Sequence, residues 1–196
     1  MIARDDITGV VLAGGLGRRM SDDGQGVDKG LQPFRGKPLV QHAIERLAPQ
    51  VGTILLNANQ NLEAYRGFGW PVITDSLTGF AGPLAGLASA MQAARTPWVV
   101  TVPCDSPLFP DDLVARLAGA ADTADARLAV VHTASGAQPV FLLAQTSLAP
   151  ELQAFLATGR RKIDAWYGPL SPAVVTFDDE AAFHNINTRD DLRSLE

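Results

Sequence analysis

Residues 7–29 read I-T-G-V-V-L-A-G-G-L-G-R-R-M-S-D-D-G-Q-G-V-D-K, an apolar run that leads directly into a glycine-rich segment. Its first part, residues 8–13, is mostly apolar and predicts a strand that is buried on both faces of a sheet. Glycines follow at once, and glycines after a buried strand let backbone N–H groups approach an anion closely. Because two arginines and Lys29 add positive charge nearby, the stretch predicts a loop that binds a polyphosphate.

The composition of the 196 residues limits the classes of protein to which the chain can belong. Sixteen Lys and Arg against twenty-one Asp and Glu give a net charge of −5, which argues against a nucleic-acid-binding or membrane-surface protein. One cysteine, Cys104, excludes an intramolecular disulfide and a multi-cysteine zinc site, and it suits a reducing compartment. The sequence shows neither an apolar run of about 18 residues nor a signal peptide, so we expect a cytoplasmic protein.

Strand and helix patterns alternate along the whole chain with turn residues between them, which predicts an α/β fold. Strands are expected at residues 8–13, 53–57, 71–74, 98–102, 128–132, 140–143 and 173–177. Helices are expected after Gly36-Lys37-Pro38, with Pro38 in the first turn, and at 62–66, 84–94, 110–121, 147–157, 161–167 and 189–195. The turn at Ser135-Gly136 predicts one antiparallel pair of strands. Because no linker interrupts the pattern, residues 1–196 are expected to form a single domain.

Polar residues and glycines follow the carboxyl ends of several predicted strands. Gly14 and Gly15 come after the first strand, and Asn57 ends the second. Asp75 and Asp105 follow two others. Since ligands of open α/β sheets bind outside the carboxyl ends of the strands, we expect these residues to meet in one binding site.

Two common phosphate-binding motifs do not fit the first loop or the residues that follow it. Met20 stands where a dinucleotide-binding fingerprint needs its third glycine. Residues 30–38 resemble a P-loop, but the spacing before Gly36-Lys37 is one residue too long. Pro38 also stands where that motif needs a metal-binding Ser or Thr. The glycine-rich loop therefore belongs to another kind of phosphate site.

The motif that remains is L-A-G-G-x-G-x-R-M at residues 12–20, followed by Asp28-Lys29. It resembles the signature of nucleotidyltransferases, which join a nucleoside monophosphate to a phosphorylated acceptor. Further segments make the chain similar to one branch of them, the MobA-like molybdenum cofactor guanylyltransferases. These segments are 56–59 (L-N-A-N), Asp75, 82–86 (G-P-L-A-G), 103–107 (P-C-D-S-P), 138–141 (Q-P-V-F), 159–162 (G-R-R-K) and 185–188 (N-I-N-T). The resemblance spans almost the whole chain, and the asparagine pairs and the last segment are its more specific part.

The resemblance implies both a fold and a set of nucleotide contacts. The fold would be a single Rossmann-like nucleotidyltransferase domain, with a mostly parallel mixed sheet, one antiparallel strand and helices on both faces. The catalytic residues would be Arg19 and Lys29, which meet the phosphates, and Asp105, which binds Mg²⁺. The implied nucleotide-binding residues are Leu12, Ala13, Gly14, Gly15, Lys29, Asn57, Asp75, Gly82 and Asp105.

The chemistry of two aspartates agrees with these implied roles. Magnesium typically takes one or two carboxylates plus substrate phosphates, so Asp105 alone is sufficient. Guanine presents N–H donors where adenine presents an acceptor, and the Asp75 carboxylate is a suitable partner for such donors. Asp105 could instead cap a helix or stabilise a turn, and Asp75 and Asn57 could instead be turn residues.

The resemblance further implies that Asn185, Asn187, Arg161 and Lys162 bind the acceptor. Amide groups match the mixed donors and acceptors of a pterin ring, and the basic side chains would hold its phosphate. Alternatively, the asparagines precede a last helix that is capped by Thr188, and the basic residues form a solvated patch.

Two further features of the sequence lie near the predicted site: the long loop at residues 21–28 and Cys104. The eight residues 21–28 that separate Met20 from Lys29 exceed the usual family spacing, and their acidic, glycine-containing composition predicts a mobile loop. Cys104 is expected to be a small buried residue rather than a nucleophile, because no histidine lies near it in sequence.

The expected reaction is a Mg²⁺-dependent transfer of GMP from GTP to the phosphate of molybdenum-bound molybdopterin. It would give the guanine dinucleotide form of the molybdenum cofactor and release pyrophosphate. One alternative is a cytidylyltransferase that acts on molybdopterin or on a sugar or alcohol phosphate. Another is a nucleotide-binding module without turnover. By the resemblance, the protein partners would be molybdenum-insertion proteins and the chaperones of molybdoenzymes, with no nucleic acid and no membrane involved.

Overall fold

The computed structural model describes residues 1–13, 16–17, 27–76, 82–188, 190–191 and 193, and within them strands and helices alternate. The strands are β1 (Ile7–Leu12), β2 (Leu16–Gly17), β3 (Val27–Asp28), β4 (Pro33–Phe34), β5 (Lys37–Pro38), β6 (Thr53–Asn57), β7 (Val72–Ile73), β8 (Trp98–Pro103), β9 (Leu128–Thr133), β10 (Gly136–Gln145) and β11 (Ala173–Thr176). The helices are α1 (Leu39–Leu47), α2 (Leu62–Arg66), α3 (Pro83–Ala93), α4 (Leu113–Thr123), α5 (Ala149–Ala157) and α6 (Ile163–Tyr167).

Seven of these strands form one sheet in the order β11-β9-β10-β8-β1-β6-β7. β1 is parallel to both of its neighbours, β8 and β6. β6 is parallel to β7, and β9 is parallel to β11. β10 is antiparallel to β8 and β9. The expected α/β class, with a mostly parallel mixed sheet and one antiparallel strand, is confirmed for the described residues.

Alternate side chains of β1 point to opposite faces of the sheet and separate the core into two layers. Val11 is buried against α1 and α4, where it belongs to the same cluster as Leu47 and Leu117. Val10 is buried on the other face in a cluster with α3, α5 and α6, which includes Leu87. The expected helices on both faces are therefore confirmed. Among the described residues, no helix is both long enough and apolar enough to cross a membrane.

The start of α1 differs from the sequence prediction, which placed Pro38 in the first helical turn. Lys37–Pro38 is instead strand β5, paired antiparallel with β4. Arg35 and Gly36 between them have φ angles of 45° and 78°, as a two-residue hairpin turn of type I′ requires. Pro38 is therefore extended, with ψ 145°, and α1 begins at Leu39.

Most of the other predicted elements are present, and β10 (Gly136–Gln145) is longer than the strand expected at residues 140–143. β6 and α2 begin and end where the sequence predicted. α4 begins at Leu113 rather than at residue 110, because Asp112 adopts a non-helical backbone before it. Most of the helix expected at residues 189–195 lies outside the described residues.

Gly9 of β1 lies so close to Leu47 of α1 and to Val51 that there is no room for a side chain at this position. A Cβ atom there would lie 2.8 Å from Leu47 Cδ2 and 3.0 Å from Val51 Cγ2, and both of these side chains are buried. We expect Gly9→Ala to lower the free energy of unfolding by about 1–3 kcal/mol, because overpacking displaces buried groups. Urea denaturation followed by circular dichroism measures this change.

Gly119 of α4 supplies a matched control for that substitution. A Cβ atom at Gly119 would meet nothing within 4 Å, so Gly119→Ala is expected to raise the free energy of unfolding by about 0.5–1 kcal/mol. Equal effects of the two substitutions would contradict the close approach of α1 to β1.

Candidate functional site

The carboxyl ends of the three central strands lie side by side. Leu12 at the end of β1 is level with Asn57 of β6 and with the last residue of β8. Ala13 N donates to Asn57 O at 2.8 Å, and Cys104 N donates to Leu12 O at 3.0 Å. Asp105, the next residue, therefore lies at the edge where α/β sheets bind ligands.

Lys29 Nζ lies between two oxygen atoms at this edge. It donates to Asp105 Oδ2 at 3.0 Å and to Asn187 Oδ1 at 2.6 Å. The side chains of Lys29 and Asp105 are 14% and 16% exposed, so their ion pair is shielded but can still be reached from solvent. Three predicted site residues from distant parts of the sequence thus meet, and we call Lys29, Asp105 and Asn187 the Lys29 cluster.

The segment that carries Asn185 and Asn187 is fixed to this edge through the residue between them. Ile186 N donates to Asp105 O at 2.7 Å, and the Ile186 side chain is fully buried. The Ser106 hydroxyl donates to the side-chain oxygen of Asn185. Burial of Ile186 leaves Asn185 exposed and Asn187 half-buried on the side of the Lys29 cluster, and their acceptor-binding role stays a prediction.

Thr188 caps the helical turn that follows this segment. Asp191 N donates to Thr188 Oγ1 at 3.0 Å, and Thr188 N donates to Asp191 Oδ2 at 2.8 Å. These reciprocal bonds have the pattern of a capping box. The predicted N-cap role of Thr188 is confirmed, and it leaves Asn187 Oδ1 in contact with Lys29.

Two asparagines, one at the end of β6 and one just after it, hold Asp75. Asn57 Nδ2 donates to Asp75 Oδ1 at 2.9 Å, and Asn59 Nδ2 donates to Asp75 Oδ2 at 2.8 Å. Asn59 Oδ1 also accepts from Asp75 N at 2.9 Å, which fixes the backbone as well as the carboxylate. Asn57 and Asp75, both predicted, are thus in direct contact. Asn59 had appeared in the sequence only as part of a motif.

α3 approaches Asn57 through a glycine. A Cβ atom at Gly86 would lie 2.4 Å from Asn57 Oδ1 and 2.7 Å from Leu12 Cδ2. A side chain at Gly86 would therefore push Asn57 away from Asp75. The predicted nucleotide-binding residue Gly82 precedes α3 and has a φ of 143°, a conformation that favours glycine.

Asp28, the residue before Lys29, is buried and accepts three hydrogen bonds. The donors are Tyr65 Oη at 2.5 Å, Asn61 Nδ2 at 2.9 Å and Gly30 N at 3.1 Å. The sequence contained Asp28 in its signature but gave no sign of the other two side chains. No local sequence pattern indicates that Tyr65 or Asn61 contacts Asp28, because each lies more than thirty positions from it.

Several predicted site residues are not joined to the Lys29 cluster by the described contacts. Gly14, Gly15 and Arg19 lie outside the described residues, as do residues 21–26 of the long loop. Arg161 and Lys162 are exposed immediately before α6, which packs in the same layer as α3 and α5. Their role in acceptor binding stays a prediction.

Asp105 is the described residue best suited to hold a cation at this edge. Its Oδ2 accepts from Lys29, whereas Oδ1 accepts no hydrogen bond within the described part of the chain. The described residues contain no group of three or more His, Cys, Asp or Glu side chains that could hold a metal ion. One carboxylate together with substrate oxygens is a donor set that fits Mg²⁺, and the role of Asp105 as its ligand stays a prediction.

The fold is an α/β sheet whose carboxyl edge carries a shielded lysine–aspartate pair at one place and an aspartate held by two asparagines at another. The chain belongs to the MobA-like NTP transferase family, because the model of that domain matches residues 9–171. The family resemblance in the sequence is therefore confirmed.

Relatives with assigned names resemble the chain over its full length. A protein named molybdenum cofactor guanylyltransferase from Cupriavidus taiwanensis is 52% identical over 201 residues, covering 100% of this chain and 99% of the relative. Another of that name, from Methylibium petroleiphilum, is 53% identical over 204 residues, covering 100% and 98%. The crystal structure of molybdopterin-guanine dinucleotide biosynthesis protein A from Archaeoglobus fulgidus has a TM-score of 0.76 and 25% identity, covering 96% of each chain.

Cys104 is expected to react slowly with thiol reagents in the folded protein. Its side chain is 5% exposed. Burial, followed by the negative charges of Asp105 and Asp28, raises the pKa of the thiol well above its usual range. Because only the thiolate reacts, labelling by DTNB at pH 8 should be at least about tenfold slower in the folded than in the urea-unfolded protein. Rapid stoichiometric labelling of the folded protein would contradict this prediction.

Proposed function

We propose that this protein is a molybdenum cofactor guanylyltransferase. The terminal phosphate of molybdopterin would attack the α-phosphorus of GTP, forming a new P–O bond. The bond from the α-phosphorus to the bridging oxygen of the leaving group would break, and pyrophosphate would depart. The observation that carries the proposal is full-length similarity, at 52% and 53% identity, to proteins of that name.

Charge is the main obstacle to this reaction. The acceptor phosphate is already an anionic nucleophile, so no general base is required, but it must approach an anionic triphosphate. Phosphoryl transfer is catalysed largely by positioning and charge neutralisation. Lys29 supplies positive charge at the carboxyl edge, and its low exposure strengthens its interaction with an incoming phosphate. Arg19 is the second proposed phosphate ligand.

Asp105 would hold Mg²⁺ through Oδ1, to which no group in the described part of the chain donates, while Oδ2 keeps Lys29 in place. When bound, the ion would supply further charge neutralisation and orient the phosphate oxygens. Asn187 would restrain Lys29 from the other side, so that the ammonium group is directed before the substrate arrives.

Asp75 and Asn57 would bind the guanine base. A carboxylate has about four acceptor positions, and the two asparagines use one on each oxygen of Asp75. Acceptor positions therefore remain for the N–H groups of guanine, whereas adenine would direct a lone pair at the carboxylate. The backbone at Leu12, Ala13, Gly14 and Gly15 and the turn at Gly82 would complete the nucleotide site.

The acceptor would lie beside the C-terminal segment. Asn185 and Asn187 carry amides that can donate to and accept from a pterin ring, and both flank the anchored Ile186. Arg161 and Lys162 would bind acceptor phosphate. This part of the proposal is supported by the family resemblance together with the contact between Asn187 and Lys29.

Replacing Lys29 by Ala or Asp105 by Asn is expected to lower turnover about 100-fold or more, because each change removes roughly 2.7–4 kcal/mol of charge stabilisation. Pyrophosphate release in the presence of molybdopterin measures the effect. Lys37→Ala and Asp111→Asn are matched controls, since both residues form exposed ion pairs that contribute little. Retention of more than about a tenth of turnover by either site variant would overturn its assigned role.

Thermal unfolding with GTP, ATP, CTP or UTP, each with and without Mg²⁺, tests the choice of nucleotide. A ligand at about 100 times its dissociation constant stabilises the folded state by roughly 2.7 kcal/mol. For a chain of this size, that corresponds to a rise of about 5–10 °C in Tm. We expect the rise with GTP alone. A larger rise with CTP would favour a cytidylyltransferase, and the absence of any rise would contradict a free-enzyme nucleotide site.

A further inference from the structure

We propose that Tyr65 and Asn61 are positioning residues that aim Lys29 at the phosphates through Asp28. The inference depends on the proposed function in assigning Lys29 to a phosphate. A series of hydrogen bonds connects Tyr65 of α2 and the preceding Asn61, through Asp28, to the Lys29 cluster.

Asp28 and Lys29 are adjacent in sequence, but their side chains contact different sets of residues. The Asp28 carboxylate is bound by Tyr65, Asn61 and the backbone N–H of Gly30. The Lys29 ammonium instead contacts Asp105 and Asn187. Fixing the first side chain therefore fixes the backbone from which the second extends.

Asp28 also begins the turn that contains Lys29. Lys29–Leu31 is a single 3-10 turn, and the Asp28 side chain caps it by accepting from Gly30 N. Rotation of the Asp28 carboxylate would break the hydrogen bond from Gly30 N, and the turn would lose its cap. The orientation of Asp28 is set by Tyr65 and Asn61, since each donates to one of its two oxygens.

The Tyr65 hydroxyl is not needed to fill the core. Tyr65 is fully buried, and a phenylalanine ring would fill most of the same space. Burial and the hydrogen bond to Asp28 raise the pKa of the phenol, so the hydroxyl stays protonated and remains a donor. A Cβ atom at Gly30 would lie 2.4 Å from Tyr65 Oη, which indicates that the turn is built closely around this hydroxyl.

Residues 57–61 connect the proposed base-binding part of the site, at Asp75, to the proposed phosphate-binding part, at Lys29. Asn57 and Asn59 hold Asp75, and Asn61 holds Asp28 two residues later. Asn61 has a φ of 51°, a left-handed conformation that asparagine tolerates well. Residues 57–61 thus set the spacing between the proposed base contact and the proposed phosphate contact.

The first test needs no ligand. The chain has three lysines, Lys29, Lys37 and Lys162, so ¹³Cε-lysine NMR gives a spectrum that Lys29→Arg can assign. Tyr65→Phe should move the Lys29 signal and leave the other two in place. Tyr167→Phe, at the other tyrosine of the chain and in the opposite layer of the core, should move none of them.

The second test measures dissociation constants for GTP–Mg²⁺ and for guanosine. Tyr65→Phe should weaken GTP binding by about tenfold to a hundredfold, since losing one hydrogen bond between charged groups weakens binding by about that factor. Guanosine has no phosphates, so its affinity should be unchanged. In a Lys29→Ala background, Tyr65→Phe should have no further effect on GTP affinity.

Asn61→Gly keeps a residue that adopts positive φ and removes the second donor, so it should reproduce the NMR shift if Tyr65→Phe does not fold. An unmoved Lys29 signal in both variants would overturn the inference, as would an equal loss of GTP and guanosine affinity. A further outcome is that the wild-type protein does not bind GTP even though Tyr65→Phe shifts the Lys29 NMR signal. In that case the proposed function fails, and the positioning of Lys29 by Asp28 stands.

Discussion

The ion pair between Lys29 and Asp105 is the interaction on which the rest of the site depends. It joins residues 76 positions apart and is largely shielded from water. Removing two charges from water is costly, and the cost is recovered only with good geometry and additional hydrogen bonds. Here Asn187 supplies one more bond to the ammonium group, and Asp105 Oδ1 remains open among the described contacts.

Each member of the pair is placed by a different part of the fold. β8 delivers Asp105 next to the end of β1, and Asp28 orients the turn that carries Lys29. Burial of Ile186 places Asn187 opposite. The two core layers, together with a small third cluster in which Ile186 packs with Phe34 and Leu39, hold these three segments at a fixed separation, so a single edge of the sheet can gather residues from both ends of the chain.

Much of this arrangement could be predicted from the sequence, because it follows from periodicity. Val10 and Val11 predict a strand buried on both faces, and the polar residues after β1, β6 and β8 predict a binding edge. Family resemblance added the pairing of Asp105 with Mg²⁺ and of Asp75 with the base as hypotheses. The extent of the domain, 1–196, stays a prediction too.

The features that were missed depend on tertiary contacts or on turn geometry. Pro38 suited a first helical turn, but the hairpin at Arg35 and Gly36 holds it in an extended strand. Tyr65 and Asn61 reach Asp28 only after α2 has packed against the sheet, so local sequence carries no trace of the contact.

Guanylyl transfer by this protein can be tested directly by following the label of [α-³²P]GTP in the presence of Mg²⁺ and molybdopterin. We expect the label to move to molybdopterin as a guanine dinucleotide, with one pyrophosphate released for each nucleotide transferred, and labelled CTP to be a poor donor. Transfer from CTP in preference to GTP would contradict the account, as would release of pyrophosphate without transfer of label to the pterin.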